Sequence, residues 1–275
     1  MARAVRHRAP RIAVFDSGLG GLTVHAEIAR LMPAAELIYV GDTAVFPYGR
    51  LAEDVLTARV SAVIGEMVRR FEPDLVVIAC NTASTLALPV LRAAFPIPFV
   101  GTVPAIKPAA ERSVSRMISV LATPGTVARD YTRELVAAHA QNCRVTLVGS
   151  TRLASYAEAE LNGRPAGDAE LREEILPCFV EDAGERTDVV VLACTHYPLI
   201  SKRLAELAPW PAQWLDSAPA IARRVAALAG EVPESAVFVP GRALFTSASG
   251  IPGELRAALA SRGIAETGVL LVPEN

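Results

Sequence analysis

Two cysteines of this 275-residue chain stand in the same local setting. Residues 74–80 read DLVVIAC and are followed by NTAST; residues 188–194 read DVVVLAC and are followed by THYPL. Cys80 and Cys194 therefore each stand where a run of apolar, β-branched residues gives way to small and polar ones, the pattern of a buried strand handing over to a helix. A thiol at such a point feels the positive end of the helix dipole and nearby donors, which lower its pKa from about 8.5 toward neutrality. Asn81, Thr82, Thr195 and His196 come next and offer amide, hydroxyl and imidazole groups to a thiolate or to a substrate carboxylate. Two such thiols suit one reaction. A thiolate removes a carbon-bound proton from one face, a thiol on the opposite face returns another, and the product is the mirror image. Cys143, ahead of a strand pattern, and Cys178, within a helical one, read as small buried hydrophobes.

Other chemistries compete for these residues. Two cysteines and His196 could ligate a metal, but a structural zinc site wants four ligands at close, characteristic spacing, and none is visible. The glycine-rich DSGLGG at 16–21 invites a nucleotide reading. A G-x-G-x-x-G fingerprint from Gly18 would need glycine at 23, where Thr23 stands, and there is no G-x-x-x-x-G-K-[ST]. What the turn could hold is a small anion such as a carboxylate, on backbone N–H groups and the Ser17 hydroxyl. The alternative is a tight turn that uses glycine without binding anything.

Six short runs must position these groups: RIAVFD (11–16), ELIYVGD (36–42), DLVVIAC (74–80), MISVLAT (117–123), RVTLVGS (144–150) and DVVVLAC (188–194). Their nearly continuous apolar character suits strands covered on both faces. Between them lie helical patterns, as in 51–71, where Leu56, Val60, Val63, Ile64, Met67, Val68 and Phe71 make one stripe. The alternation predicts an α/β fold with mainly parallel sheets, and ligands collect beyond the carboxyl ends of such strands. The echo between the two cysteine segments, 114 residues apart, suggests two similar doubly wound domains whose matching strand ends meet at one cleft. Pro-rich stretches at 95–104 and 208–214 read as crossings, giving a discontinuous first domain of 1–98 and 214–275 and a second of 99–213.

With 52% hydrophobic and 20% charged residues and a net charge of -2, disordered and strongly nucleic-acid-binding classes are excluded as first readings. The basic start, residues 1–10, reads as a loose tail, since no apolar stretch follows it that would make a targeting signal. No run approaches the roughly 20 apolar residues of a membrane span. Four cysteines without a C-x-x-C pair fit a reduced, cytoplasmic setting.

Taken together, IAVFDSGLGGLTV, YVGDTAVFPYG, VVIACNTAST, VGTVPAIKPA, LATPGTV and LACTHYPLI resemble the aspartate/glutamate racemase family, in its glutamate branch. The likeness runs from about residue 12 to 217, and TSASG at 246–250 resembles the family's C-terminal pattern. It implies interconversion of L- and D-glutamate without pyridoxal phosphate or metal, D-glutamate for peptidoglycan and hence cell shape, and a homodimer, with neither membrane nor nucleic acid as partner. It makes Cys80 and Cys194 the acid/base pair, with Asp16 assisting on the Cys80 side and His196 on the Cys194 side. Asp16, Ser17, Pro47, Tyr48, Gly49, Asn81, Thr82, Thr123, Thr126, Thr195 and His196 fall on its substrate-binding positions. The chain departs from the family at 149–158, where GSTRLASYAE replaces a Cys-Pro step, leaving Glu158 as a possible assisting acid, and at Val45-Phe46 before Pro47. Plainer roles stand beside these: Asp16 as a helix cap, His196 as a core histidine, Tyr48 as packing and the threonines as caps. Two other functions compete, a racemase for aspartate or another small amino acid and a non-catalytic ligand-binding protein.

Overall fold

The computed structural model describes residues 8–230 and 239–273; the first seven residues of the basic tail lie outside these. From the first described residues the chain runs through β1 (Arg11–Asp16), α1 (Leu22–Leu31), β2 (Glu36–Gly41), α2 (Glu53–Phe71), β3 (Leu75–Ile78), α3 (Asn81–Ala94) and β4 (Phe99–Gly101). It continues through α4 (Ile106–Arg112), β5 (Met117–Ala122), α5 (Pro124–Val127), α6 (Asp130–His139), β6 (Arg144–Gly149), α7 (Leu153–Leu161) and α8 (Asp168–Ile175). A short pair, β7 (Glu181–Asp182) and β8 (Glu185–Arg186), precedes β9 (Val189–Ala193), α9 (Ser201–Leu207) and β10 (Gln213–Asp216). The last stretch is α10 (Ala218–Ala229), β11 (Gly241–Phe245), α11 (Gly253–Ala260) and β12 (Ile264–Val269).

The chain divides into two units, one of residues 1–102 and 218–275, the other of residues 103–217. Both divisions fall four residues beyond those read from the Pro-rich stretches, and strand pairing is the reason. Phe99–Gly101 hydrogen-bonds to β3, which draws it into the first unit, and Gln213–Asp216 pairs with β9, which draws it into the second. Neither segment carries the long apolar run that marks a central strand, so both read as linker.

In the first unit a six-stranded sheet has the order β12-β11-β2-β1-β3-β4, every pair parallel. Its central strands β2, β1 and β3 are buried on both faces, whereas the edge strand β12 is largely exposed. Ala13, Phe15, Ile38, Val40, Val76 and Ile78 join one core cluster with the α2 stripe of Leu56, Val60, Val63, Ile64, Met67 and Phe71 and with Ala87 and Leu91 of α3. The alternate residues Ile12, Val14, Tyr39 and Val77 are buried too, on the side covered by α1 and α10. Each such aliphatic side chain contributes roughly 1.5–3 kcal/mol by leaving water, which is why these strands show runs of apolar residues instead of alternation.

The second unit holds a four-stranded parallel sheet in the order β10-β9-β5-β6, and β7 with β8 makes a small antiparallel pair. Ile118, Val120, Ala122, Val189, Val191 and Ala193 pack with Ile106 and Ala109 of α4. The polar Ser119 inside β5 is satisfied by donating to the Cys178 carbonyl at 2.6 Å.

The two sheets share a plan. Read from the second strand of each unit, the orders are β2-β1-β3-β4 and β6-β5-β9-β10. In each, the first strand connects to one side and the third to the other, so the reversal of strand order falls between β1 and β3 and between β5 and β9. Open α/β sheets bind ligands at that reversal, outside the carboxyl ends of the strands. This is the doubly wound α/β class expected from the strand runs, and the echo between the cysteine segments extends to a common four-strand core.

Candidate active site

In the first unit the reversal point brings Asp16 and Cys80 to neighbouring strand ends. Phe15 is in register with Ile78, and the Ala79 N–H donates to the Phe15 carbonyl at 2.8 Å, so Asp16 lies one residue and Cys80 two residues beyond the last shared rung. Asp16 is fully buried, and its Oδ2 accepts from the Gly18 N–H at 3.0 Å. One N–H of the glycine turn is thus spent inside the protein. The glycines serve close packing: a Cβ on Gly21 would lie 2.7 Å from the Asp16 Cβ and 3.2 Å from that of Ala79. Cys80, buried, is the N-cap of the 14-residue α3, so the end of the helix dipole falls on its thiol. Asn81 and Thr82 open that helix and are buried, and Asn81 Oδ1 has no hydrogen-bond partner among the described residues. Ser17 is buried beside Asp16 in the chain.

Pro47 follows a cis peptide bond, and Tyr48 and Gly49 lie in the 3-10 turn Tyr48–Arg50. Tyr48 is buried in the cluster that includes Phe15 and Cys80. Its hydroxyl donates to Asp42 Oδ2. Burial, then the Asp42 charge and hydrogen bond, then the Cys80 charge push the phenol well above its ordinary pKa, against the pull of Arg59. Tyr48 is therefore packing and polar anchor together.

In the second unit, β5 runs into Thr123 and β9 into Cys194 and Thr195 at the corresponding reversal point. Thr123 does cap a helix: it precedes the four-residue α5, accepts from the Thr126 N–H at 3.3 Å, and has its hydroxyl 3.1 Å from that of Thr126. Cys194 differs from Cys80. Its chain passes through His196 into a 3-10 turn, Tyr197–Ile200, and only then into α9, so the thiol does not cap a regular helix. The expected dipole is replaced by a charged side chain. His196 Nδ1 lies 3.9 Å from Cys194 Sγ and 3.5 Å from Thr195 Oγ1, and Nε2 lies 2.7 Å from Glu158 Oε2. Burial opposes protonation of His196, but the bond to Cys194 and the bond and charge of Glu158 outweigh it and hold the imidazole well above its ordinary pKa. Glu158, the least certain of the residues suggested by the sequence, is thus the direct partner of His196.

Cys178 is buried in the 3-10 turn Leu176–Cys178, and burial pushes its thiol up to about 12, which suits a core residue. The contacts of three residues near Cys80 escaped sequence reasoning: Asp42 as a hub, with Arg59 and the Thr246 that opens TSASG as its partners. Asp42 ends the β2 run, a signal in plain view, but nothing local ties it to Arg59 or Thr246. Among the described residues no group of three or more His, Cys, Asp or Glu is placed to hold a metal ion, and no helix is long and apolar enough to cross a membrane.

Two α/β units, each with a buried cysteine just beyond a strand at the reversal point, define a doubly wound class of protein, and similarity to known proteins gives its family. Residues 22–225 match the Asp/Glu/Hydantoin racemase family. A glutamate racemase of Brucella anthropi is 56% identical over 218 residues, covering 79% of this chain and 78% of that protein. The crystal structure of Escherichia coli glutamate racemase in complex with L-glutamate and the activator UDP-MurNAc-Ala has a TM-score of 0.89 at 38% identity, over 97% of this chain and 100% of that one. A glutamate racemase isoform from Bacillus anthracis has a TM-score of 0.77 at 25% identity, over 98% of each chain. The chain belongs to the Asp/Glu/Hydantoin racemase family. It is an isomerase, of the racemase kind.

Proposed function

We propose that this chain is a cofactor-independent glutamate racemase in which Cys80 and Cys194 work on opposite faces of the substrate α-carbon. The observation that carries the reading is the pair of buried thiols just beyond β3 and β9, corresponding strands of two sheets with a common four-strand core, each near a different ionisable helper. The substrate comes from the relatives, which are named glutamate racemases.

In one direction a thiolate takes the α-proton, the electron pair is delocalised toward the substrate carboxyl group, and the opposite thiol delivers its own proton to the other face. The first cysteine leaves as thiol and the second as thiolate, so the reverse reaction starts from the state the forward one leaves. Asp16 assists at Cys80. On the other side a protonated His196, kept charged by Glu158, stabilises the Cys194 thiolate. Asn81 Oδ1, buried and unpartnered, is suited to accept from the substrate ammonium, and Ser17, Thr82, Thr126 and Thr195 to hold its carboxylates. The Pro47-Tyr48-Gly49 turn borders the Cys80 side, and Thr123 caps the corresponding loop of the second unit. D-glutamate made in this way supplies peptidoglycan synthesis in the cytoplasm, and the enzyme works as a homodimer.

The test is solvent deuterium exchange at the α-carbon of glutamate by purified protein without added cofactor. Exchange is expected in wild type, and near-complete loss of turnover between the enantiomers in Cys80→Ala and in Cys194→Ala. Undiminished turnover in either variant removes the two-thiol assignment, and exchange on aspartate alone changes the substrate.

A further inference from the structure

Asp42 is fully buried and accepts from three separate parts of the first unit. Its Oδ1 takes Arg59 Nη2 at 2.7 Å and the Thr246 hydroxyl at 2.6 Å. Its Oδ2 takes Arg59 Nε at 2.9 Å and the Tyr48 hydroxyl. A carboxylate has about four acceptor sites, so Asp42 is saturated by the protein and has nothing left for a substrate. Its work is to hold other groups in place.

The group held is the turn that carries Tyr48 and Gly49, and the holding comes from far along the chain. Thr246 immediately follows β11, and its hydroxyl, besides donating to Asp42, accepts from the Ala44 N–H at 3.1 Å. The Thr246 N–H donates to the Gly41 carbonyl at 3.1 Å, and the Ser247 N–H to the Thr43 hydroxyl at 3.2 Å. Residues 41–44 and 246–247 are thereby laced together on the approach to Tyr48, while Arg59 reaches in from α2. The family match ends at residue 225, before this lacing strand begins.

We propose that Asp42, Arg59 and Thr246 are positioning residues that set the Tyr48–Gly49 turn beside Cys80, so that the C-terminal segment controls substrate affinity without touching substrate. This rests on the reading of the chain as a glutamate racemase with Tyr48 and Gly49 at the substrate. The burial of Tyr48 in one cluster with Cys80 supplies the path: a turn released from Asp42 shifts against the thiol's surroundings.

Thr246→Val is the variant of choice, because it keeps the shape and puts a methyl group in place of the hydroxyl that bonds Asp42 and Ala44, whereas a change at Asp42 leaves the Arg59 guanidinium unpaired. KM for glutamate is expected to rise on the order of tenfold, as for a lost hydrogen bond to a charged group, with kcat changed much less. Amide hydrogen exchange over residues 44–50 is expected to speed up in parallel. Thr246→Ser, which restores the hydroxyl, is expected to restore both. A purely structural role would lower the melting temperature and leave KM alone. Wild-type KM and wild-type exchange over 44–50 in Thr246→Val would overturn the proposal. If wild type fails to act on glutamate, the racemase reading fails, and the amide exchange still decides whether Thr246 tethers the turn.

Discussion

Glu158→Gln isolates the charge behind His196 and Cys194. The substitution keeps the side-chain volume and an acceptor for His196 Nε2, 2.7 Å away, and removes only the negative charge. The side chains are 2% exposed for His196 and 15% for Glu158, so water cannot replace what is lost. A hydrogen bond involving a charged group contributes about 1.5–3 kcal/mol and a neutral one about 0.5–1.5, so the change is about 1–2 kcal/mol. His196, held up by Cys194 and Glu158 against burial, then titrates at lower pH than in wild type. Its wild-type folded pKa lies above the unfolded value of 6.5, so the stability from this pair is fully present below 6.5 and is lost as pH rises through the folded value. The variant is expected to be about 1–2 kcal/mol less stable at a pH of about 6, with the gap narrowing in alkali. Urea unfolding at a pH of about 6 and of about 9.5 measures this. In turnover, deuterium wash-in to the enantiomer deprotonated by Cys194 is expected to slow on the order of tenfold, the equivalent of about 1.4 kcal/mol. Wash-in to the other enantiomer is expected to slow less. Equal stability losses at both pH values, together with equal slowing of both enantiomers, would refute the reasoning.

Two further outcomes follow from packing and burial. Gly21→Ala places a Cβ 2.7 Å from that of Asp16, and overpacking of this kind costs about 1–3 kcal/mol; calorimetry is expected to register a lower melting temperature, and α-hydrogen exchange a loss of activity as Asp16 is displaced. His25 is buried, and burial followed by the Arg262 charge lowers its pKa from 6.5 to about 4. The unfolded chain therefore binds a proton that the folded one refuses, and the stability present above pH 6.5 drains away as pH falls toward 4. His25→Leu is expected to flatten that limb by about 3 kcal/mol, at about 1.4 kcal/mol per pKa unit, and an unchanged acid limb in denaturant titrations would count against it.

All six strand runs read from the sequence are strands, and the α2 stripe is buried as its spacing implied except at Val68, which is half-buried. These features were legible because burial on both faces of a parallel sheet leaves its mark residue by residue. The short edge strands were not: Phe99–Gly101, Gln213–Asp216 and Ile264–Val269 carry little apolar signal of their own and exist because a neighbour offers its hydrogen bonds. The unit divisions moved with the first two.

The same contrast governs the site. Cys80, Cys194, Asp16 and His196 stand out by residue type at the ends of recognisable runs, since a strand-to-helix junction is a local event. What surrounds each thiol is not local. That Cys80 caps a long helix while Cys194 leans on a histidine depends on whether the next residues wind into α3 or into a 3-10 turn. Glu158 meets His196 across 38 positions, and Thr246 meets Asp42 across 204. Sequence alone determined the strand-end groups and the family they resemble. Tertiary structure alone decided which distant charges and hydroxyls stand beside them, because such contacts arise from how helices and returning strands pack and leave no periodic trace in the chain.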